Sequence, residues 1–302
     1  MVYRSVSDFY KEKFGCKVYK ISLDAGCTCP TRDGTKGTGG CIFCSKSGSG
    51  DFAAARSLPL EEQIEQAKLK VQAKTGKSPG AKFIAYFQNF TNTYGDINRL
   101  EALWLKAAEA ENIAGVAIAT RPDCLEAPVL EAIARLCKKT FVSVELGLQT
   151  TNQKSIEYIR RNYKTSEYDS AVQKLHAISK DIHVVTHIIF GLPGETEKDM
   201  LETVRHSLKA GTDGIKIALL HVLENTDLAE DYRSGKFDCL SMEKYFELVA
   251  KALCIIPQNI VIHRLTGDGA KKILIAPLWT ADKKHVHNEL EKYLLKNVKP
   301  MI

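Results

Sequence analysis

Between Lys17 and Leu220 six short runs of β-branched, aromatic and aliphatic residues alternate with five longer stretches of helical spacing. The runs are "KVYKISL" (Lys17 to Leu23), "KFIAYF" (Lys82 to Phe87), "GVAIAT" (Gly115 to Thr120), "TFVSVELGL" (Thr140 to Leu148), "HVVTHIIF" (His183 to Phe190) and "GIKIALL" (Gly214 to Leu220). Helical patterns occupy 59–75, 97–111, 126–137, 152–180 and 196–210. Strands separated by helices pair in parallel, because each helix carries the chain back across the sheet to start the next strand in the same direction. The pattern predicts an α/β fold, a partial (βα)6 barrel of the TIM type. No low-complexity linker interrupts the chain before Leu220, so residues 1–220 read as the barrel. Residues 221–302 read as a C-terminal extension of helices around one further strand, "NIVIHRL", packed on the same barrel. At 302 residues and 44% hydrophobic content the chain can bury a sizeable core.

In such barrels the chemistry sits where strands end and loops begin. Each polar motif falls there. A cysteine-rich loop, 24–47, follows the first strand, "QNFTNTYGD" (Gln88 to Asp96) the second, and "TRPD" (Thr120 to Asp123) the third. Glu145 and Gln149 read as the end of the fourth strand, "FGLPGET" ends the fifth, and "HVLENT" (His221 to Thr226) follows the sixth.

The first loop, "AGCTCPTRDGTKGTGGCIFC", carries Cys29-x11-Cys41-x2-Cys44. Its glycines tolerate the tight turns that bring Cys29 back to Cys41 and Cys44. Two inorganic readings stay open on spacing alone. Three thiolates can hold an iron–sulfur cluster with one metal position free for a substrate, or Cys27 can join as fourth ligand of a closed structural zinc site. Phe43, between the last two cysteines, can shield either centre from water.

Five other cysteines stand singly (Cys16, Cys124, Cys137, Cys239, Cys254) and read as small buried hydrophobes of a reducing compartment. No apolar run approaches the ~20 residues of a membrane span. The start, "MVYRSVSDFYKEKFG", is charged where a signal peptide would be apolar, so the chain is expected in the cytoplasm, without membrane contact. A net charge of +6 is compatible with a polyanionic partner such as RNA without requiring one.

Together, "CPTRDG…GGCIFC", "YFQNFTNTY", "ATRPD", "VELGLQT", "HIIFGLPGET", "LLHVLENT" and "VIHRLTGD" resemble the radical S-adenosylmethionine (SAM) superfamily over nearly the whole chain, in particular its YhcC-like group. That group is similar to the radical SAM part of the Elongator catalytic subunit. The resemblance implies a [4Fe–4S] cluster, SAM as cofactor, and reductive cleavage of SAM to a 5′-deoxyadenosyl radical. It implies Cys29, Cys41 and Cys44 as cluster ligands, with Cys27 outside the set. The superfamily's usual triplet is C-x3-C-x2-C, and the longer first gap here matches this group only. It implies a reductant such as flavodoxin or ferredoxin as partner and, through the Elongator similarity, a tRNA base as substrate, a wobble uridine being the expectation. A small metabolite enclosed by the extension is the alternative, and a zinc-stapled nucleic-acid-binding module without catalysis is a third reading.

Glu145 would bind the SAM ribose and Gln149 orient the same region, an internal salt bridge being the plain alternative for Glu145. Gln88, Asn92 and Thr93 are candidates for the SAM amino group, and Arg121 for its carboxylate unless it simply pairs with Asp123. "GLPGE" reads first as ordinary strand-to-helix punctuation; in its functional version Gly191 and Gly194 would let backbone approach the adenine, with Thr196 capping the next helix. His183 and His187 share one face of their strand; His187 is a candidate beside the cofactor. His221 and His263 either face substrate or pin the extension, and His285 and His287 belong on a surface helix. The basic run "RRNYK" (Arg160 to Lys164), with Tyr158 and Tyr163, reads as an RNA contact or as solvated helix surface.

Overall fold

The computed structural model describes residues 2–45, 48, 53–75, 80–267 and 269–298. Residues 46 and 47 of the cysteine loop and Asp268 of "VIHRLTGD" lie outside the described residues. The elements run α1 (Val6–Phe14), β1 (Val18–Leu23), α2 (Leu60–Thr75), β2 (Lys82–Phe87), α3 (Ile97–Glu109), β3 (Ile113–Thr120), α4 (Ala127–Cys137), β4 (Phe141–Gln149), α5 (Gln153–Tyr158), α6 (Thr165–Ile178), β5 (His183–Phe190) and α7 (Glu197–Ala210). They continue with β6 (Gly214–Leu219), β7 (Val222–Leu223), α8 (Asp227–Arg233), α9 (Met242–Leu253), β8 (Val261–Arg264), β9 (Leu274–Ala276) and α10 (Lys283–Asn297).

Seven strands form one sheet in the order β1-β2-β3-β4-β5-β6-β8, with every neighbouring pair parallel. The six expected strands make its body, and the extension's "NIVIHRL" run adds the seventh. The N-terminus helps to fix it, since Ile262 N–H donates to Arg4 C=O at 2.8 Å. Flat, a seven-stranded sheet would hold β1 and β8 roughly 29 Å apart, six spacings of about 4.8 Å. Instead Lys20 Nζ on β1 lies 3.4 Å from His263 Nδ1 on β8. The sheet therefore curls into a barrel whose edge strands meet through side chains.

One end of this barrel is closed. On α1, Ser5 caps the helix by accepting from Asp8 N–H, and Gly15 ends it at φ 70°. Its aromatic face packs on the first residues of β4 and β5: Phe14 lies 5.6 Å from Phe141, and Phe9 stacks on His183 at 4.6 Å. The opposite end carries the polar loops. Two large apolar layers clothe the outside of the barrel. Trp104, Leu100 and Tyr168 are wholly buried under α3 and α6, while Tyr245, Leu248 and Phe190 join α9 to β5.

Three features depart from the sequence reading. The helical stretch 152–180 is broken into α5 and α6, because Arg160 and Asn162 adopt positive φ (54° and 57°) in the turn between them. A two-stranded antiparallel ribbon, β7 with β9, closes over the extension, its strands too short to leave a periodic signal. And among the five single cysteines Cys124 is buried, Cys16, Cys137 and Cys239 are half-buried, and Cys254 is exposed at the end of α9. No helix among the described residues is long and apolar enough to cross a membrane.

The turn after α5 also shows what the basic run does. Arg161 is 1% exposed, and its guanidinium donates to Leu148 C=O (2.7 Å), Thr150 C=O (2.8 Å) and Tyr163 C=O (3.0 Å). It pins the end of β4 to the start of α6. Arg160 pairs with Asp227 of α8, and the Tyr163 ring is buried beneath Arg161. The run is neither a free RNA-facing patch nor solvated helix. Arg161→Met leaves the buried carbonyls of Thr150 and Tyr163 without donors, while Leu148 C=O keeps that of Thr150 N–H at 2.8 Å, and we expect a loss of about 2–4 kcal/mol, hence a thermal midpoint lower by roughly 8 °C. Arg160→Met, at an exposed pair, should cost under ~1 kcal/mol. Equal effects of the two changes in thermal melts would contradict this account.

Candidate active site

The loop between β1 and α2 starts from a buried anchor. Asp24 accepts hydrogen bonds from Gly26 N–H (2.7 Å) and Asn89 Nδ2 (2.6 Å), and Arg56 pairs with it while donating to Cys27 C=O at 2.6 Å. The loop then lies across the ends of β2 and β3. Lys36 Nζ donates to Asp123 Oδ2 (2.8 Å), Thr35 meets the Tyr94 hydroxyl (2.7 Å), and Asn162 Nδ2 donates to Lys36 C=O (3.2 Å). Gly37 makes that last approach possible: its φ is 146°, and a Cβ there would fall 2.4 Å from Asn162 Nδ2. Arg32 folds back to donate to Ser45 C=O (2.6 Å) and Cys44 C=O (3.3 Å). Its guanidinium and that of Arg56 flank the Phe90 ring at 5.2 and 5.1 Å. The backbone at Cys44 is thus fixed by a cation that is itself held on an aromatic face.

Within this frame Cys29, Cys41 and Cys44 are unbridged thiols. Cys29 Sγ sits 2.9 Å from Thr91 Oγ1. Burial pushes the Cys41 thiol up to about 12, the charges of Cys44 and Cys29 push the same way, and Arg121 and Arg32 pull against them. Negative charge on Cys44 and Cys29 therefore disfavours the Cys41 thiolate until a positive centre joins it. Among the described residues no three His, Cys, Asp or Glu side chains converge as a single ion requires. A cluster asks for less convergence, since each thiolate takes a different iron. The donor set fits an iron–sulfur cluster on those grounds. Cys27, in contrast, packs in the main core beneath α2 and α3; burial raises its thiol to about 11, and its charged neighbours are Arg99, Asp24 and Arg56.

The other expected residues divide by what already occupies them. Asn92 Nδ2 donates to Phe87 C=O (3.0 Å) and Ala119 C=O (2.9 Å), stapling β2 to β3. Thr93 Oγ1 lies 2.6 Å from Thr120 Oγ1 and donates to Cys124 C=O. Arg121 makes a two-pronged pair with Asp123 (2.9 and 3.0 Å) and lies over the Tyr163 ring. Gln88, half-buried, accepts from Ser22 Oγ at 3.1 Å. Gln149 ends β4 at φ 60° after a bulge, its amide folded against Gly147 C=O, Leu148 C=O and the Tyr163 hydroxyl. Gly147 leaves the room, for a Cβ there would lie 2.2 Å from that amide. Gly191 holds φ 86° against Leu240 of the extension, and Thr196 caps α7 in a reciprocal pair with Asp199. His221 packs on Gly267 and Gly269 and meets Thr280 Oγ1 at 3.1 Å, pinning the extension.

Glu145 is the fifth of the nine residues of β4, not at its end. It points into the barrel and is wholly buried. Lys20 of β1 pairs with its Oε1 and Lys216 of β6 with its Oε2; His187 Nε2 and the Tyr86 hydroxyl each reach Oε2 at 2.7 Å. Burial opposes ionisation, but the two ammonium groups outweigh it and hold the carboxyl well below its usual range. Facing an ionised acceptor, His187 Nε2 must carry the proton. Lys20, Lys216 and Tyr86 were not foreseen as site residues. The signal was present in "VYKISL" and "GIKIAL", where a lone lysine stands at an inward position of an otherwise apolar strand.

Below this layer His183 and His263 face each other, Nε2 to Nε2 at 2.8 Å, so one must donate and the other accept. Burial, then Lys20, hold His183 down to about 3; burial, then Lys216, hold His187 down to about 4. Both stay neutral in the folded state while the unfolded chain takes up protons near pH 6.5, so stability is lost as pH falls from 6.5 towards 4. His183→Gln keeps a polar partner without titrating. Urea titrations across that window should show the slope of stability against pH reduced by close to one proton, ~1.4 kcal/mol per pH unit. An unchanged slope would mean that His183 is not buried neutral.

A curled parallel sheet, one end plugged and the other bearing a triple-cysteine loop beside buried polar residues, has the architecture of a barrel enzyme with its polar groups gathered at one end. The chain belongs to the radical SAM superfamily. The superfamily's model matches residues 34–206, and that of the radical SAM C-terminal domain matches 212–296. It is 40% identical to YtqA of Bacillus subtilis over 292 residues (97% of this chain, 89% of that protein) and 32% identical to YhcC of Escherichia coli K12 over 283 residues (93% and 89%). A more distant relative is the tRNA uridine(34) acetyltransferase of Methanocaldococcus jannaschii, 26% identical over 71% of this chain and 41% of that protein. Among solved structures, Elp3 of Methanocaldococcus infernus superposes with a TM-score of 0.67 at 18% identity, over 92% of this chain and 63% of that one. Family membership makes the protein an enzyme and implies a [4Fe–4S] cluster and SAM as its cofactors.

Proposed function

We propose that Cys29, Cys41 and Cys44 hold the [4Fe–4S] cluster at the open end of the barrel and that the enzyme modifies a tRNA base. The observation that carries the cluster assignment is that Cys41 feels the charges of both Cys44 and Cys29 from within one pinned loop, while Cys27 is committed to the core. A bound cluster, reduced by a donor such as flavodoxin or ferredoxin, would supply the one electron that breaks the C5′–S bond of SAM, giving methionine and a 5′-deoxyadenosyl radical able to take hydrogen from a C–H bond. The chain's own residues supply position and exclusion of water. Arg32 fixes the Cys44 and Ser45 carbonyls. Phe43 and Ile42 pack with Leu192, Leu220 and Leu228 in an apolar cluster beside the loop, and α1 closes the far end. Gln88, Arg121, Gln149, His187 and Gly191 are the candidates we keep for holding SAM, with Glu145 reaching it only from below. Asn92 and Thr93 would act by shaping the loop.

A tRNA base is supported by the kinship to a tRNA uridine(34) acetyltransferase and by the net charge of +6. The small-metabolite reading draws support from that same apolar cluster, which brings Val222, Tyr232 and Phe237 of the extension against the loop-bearing end. After anaerobic reconstitution with iron and sulfide, then dithionite and SAM, wild type and Cys27→Ala should form 5′-deoxyadenosine and Cys44→Ala should not. A colourless, zinc-loaded protein that leaves SAM intact would overturn the assignment. Given tRNA from cells lacking the enzyme, nucleoside mass spectrometry should show a changed base. Robust 5′-deoxyadenosine without any such change would remove tRNA as substrate and leave the metabolite.

A further inference from the structure

The inside of the barrel carries more positive than negative charge in the layer around Glu145, where Lys20 and Lys216 have no role in the family assignment. Lys20 and Lys216 lie three residues below the ends of β1 and β6, and Glu145 four below the end of β4, so their layer sits on the order of 10 Å beneath the rim. Two ammonium groups face one carboxylate. The side chains around it are not sealed: Lys216 is 13% exposed, Lys20 20% and His187 32%, whereas Glu145 is at 0%. The inward positions above them, Ser22, Gly147, Ile189 and Ala218, are likewise only half-buried, so the layer is the floor of a space that opens upward.

The groups facing this floor leave the charge uncompensated. Tyr86 donates to Glu145, and His187 spends its Nε2 proton on the same oxygen. His183 and His263, below, are neutral. A surplus cation in a low-dielectric site is costly unless it loses its proton or gains an anion. Burial, with Lys20 and Arg264 pushing the same way, brings Lys216 down to about 7, so at neutral pH both escapes are open to it. One added negative charge would balance the layer.

We propose that this floor is a substrate-anchoring site: a monoanionic acid group, a carboxylate in the first instance, binds between Lys20 and Lys216 and holds the substrate's reacting end up toward the cluster loop. The proposal rests on the reading of the barrel interior as the place of reaction, and it deepens that reading by giving the substrate an acidic group. It applies to a base drawn into the barrel as to a free metabolite. A rigid point of attachment below the reacting carbon supplies what hydrogen abstraction requires, a fixed distance to the radical. Lys216 then acts as a binding residue, and Glu145 as a positioning residue that holds the two ammonium groups apart.

The test reads Lys216 directly and needs no turnover. In full-length reconstituted protein carrying carbon-13 at lysine Cε, the NMR titration of Lys216 is followed with acetate, inorganic phosphate, neutral acetamide or chloride at matched ionic strength; Lys216→Met assigns the resonance. Acetate should raise the midpoint by about one pH unit, a tenfold preference for the ammonium form, and acetamide and chloride should not. A shift with phosphate alone would keep the anion site but make phosphate its ligand. No shift with either anion would overturn the proposal. Where Lys216→Met fails to fold, Glu145→Gln answers the same question: without the carboxylate that favours its ammonium form the Lys216 midpoint should fall, and acetate, no longer repelled by Glu145, should raise it by more than in wild type, whereas a merely structural ion pair predicts no acetate shift before or after. Because SAM cleavage is not part of this readout, a negative result here and a failure to form 5′-deoxyadenosine are separate findings.

Discussion

The interior of this barrel is organised around one carboxylate. Glu145 is reached by Lys20 from β1, Tyr86 from β2, His187 from β5 and Lys216 from β6, so four strands other than its own converge on two oxygen atoms. Backbone pairing alone fixes only neighbouring strands; it says nothing about how far the sheet curls. These side-chain bonds run across the lumen and are satisfied at only one curvature. A buried carboxylate stripped of any one of these partners is expensive, and its removal leaves cations buried in turn. The polar layer is thus better regarded as a device that sets the barrel's closure than as a net source of stability.

The same closure explains the division between the two ends. At the lower end α1 brings Phe9, Tyr10 and Phe14 against Phe141 and His183, which seals the lumen with rings and keeps the histidines neutral. At the upper end no helix among the described residues plugs the opening, and the loop-borne polar groups cross-link instead. Lys36 reaches Asp123, Thr35 reaches Tyr94, and Arg32 and Arg56 share the face of Phe90. A long cysteine loop with several glycines would be costly to order by itself. Here residues 24–45 are held because neighbouring strand ends offer them charged and aromatic partners, and the outcome is three cysteines carried on one pinned loop at the end that bears the polar groups.

Much of this could be read in advance from residue patterns, and the failures have specific causes. The strand runs and the helices between them were visible because hydrophobic period reports burial directly. The split at Arg160 and Asn162 was not, since two left-handed residues leave no periodic mark. "RRNYK" looked like a solvated basic run because sequence shows charge and not burial; in the fold Arg161 is an internal clamp on three carbonyls. Arg121 and Asp123, two residues apart, pair with each other as their spacing allows, whereas the partners of Glu145 lie 125, 71, 59 and 42 residues away and carry no mutual signal in the chain.

The amino-acid sequence by itself determined the parallel α/β architecture, the place of the polar loops at strand ends, and the superfamily, because each of these is written in local period or in a contiguous motif. Only the tertiary structure decided that Cys27 belongs to the core, that Asn92 and Thr93 serve the loop backbone, and that Lys20 and Lys216 stand with Glu145 on the barrel floor. The physical reason is that burial and charge pairing depend on which distant strands face one another, and that is settled by how far the sheet curls.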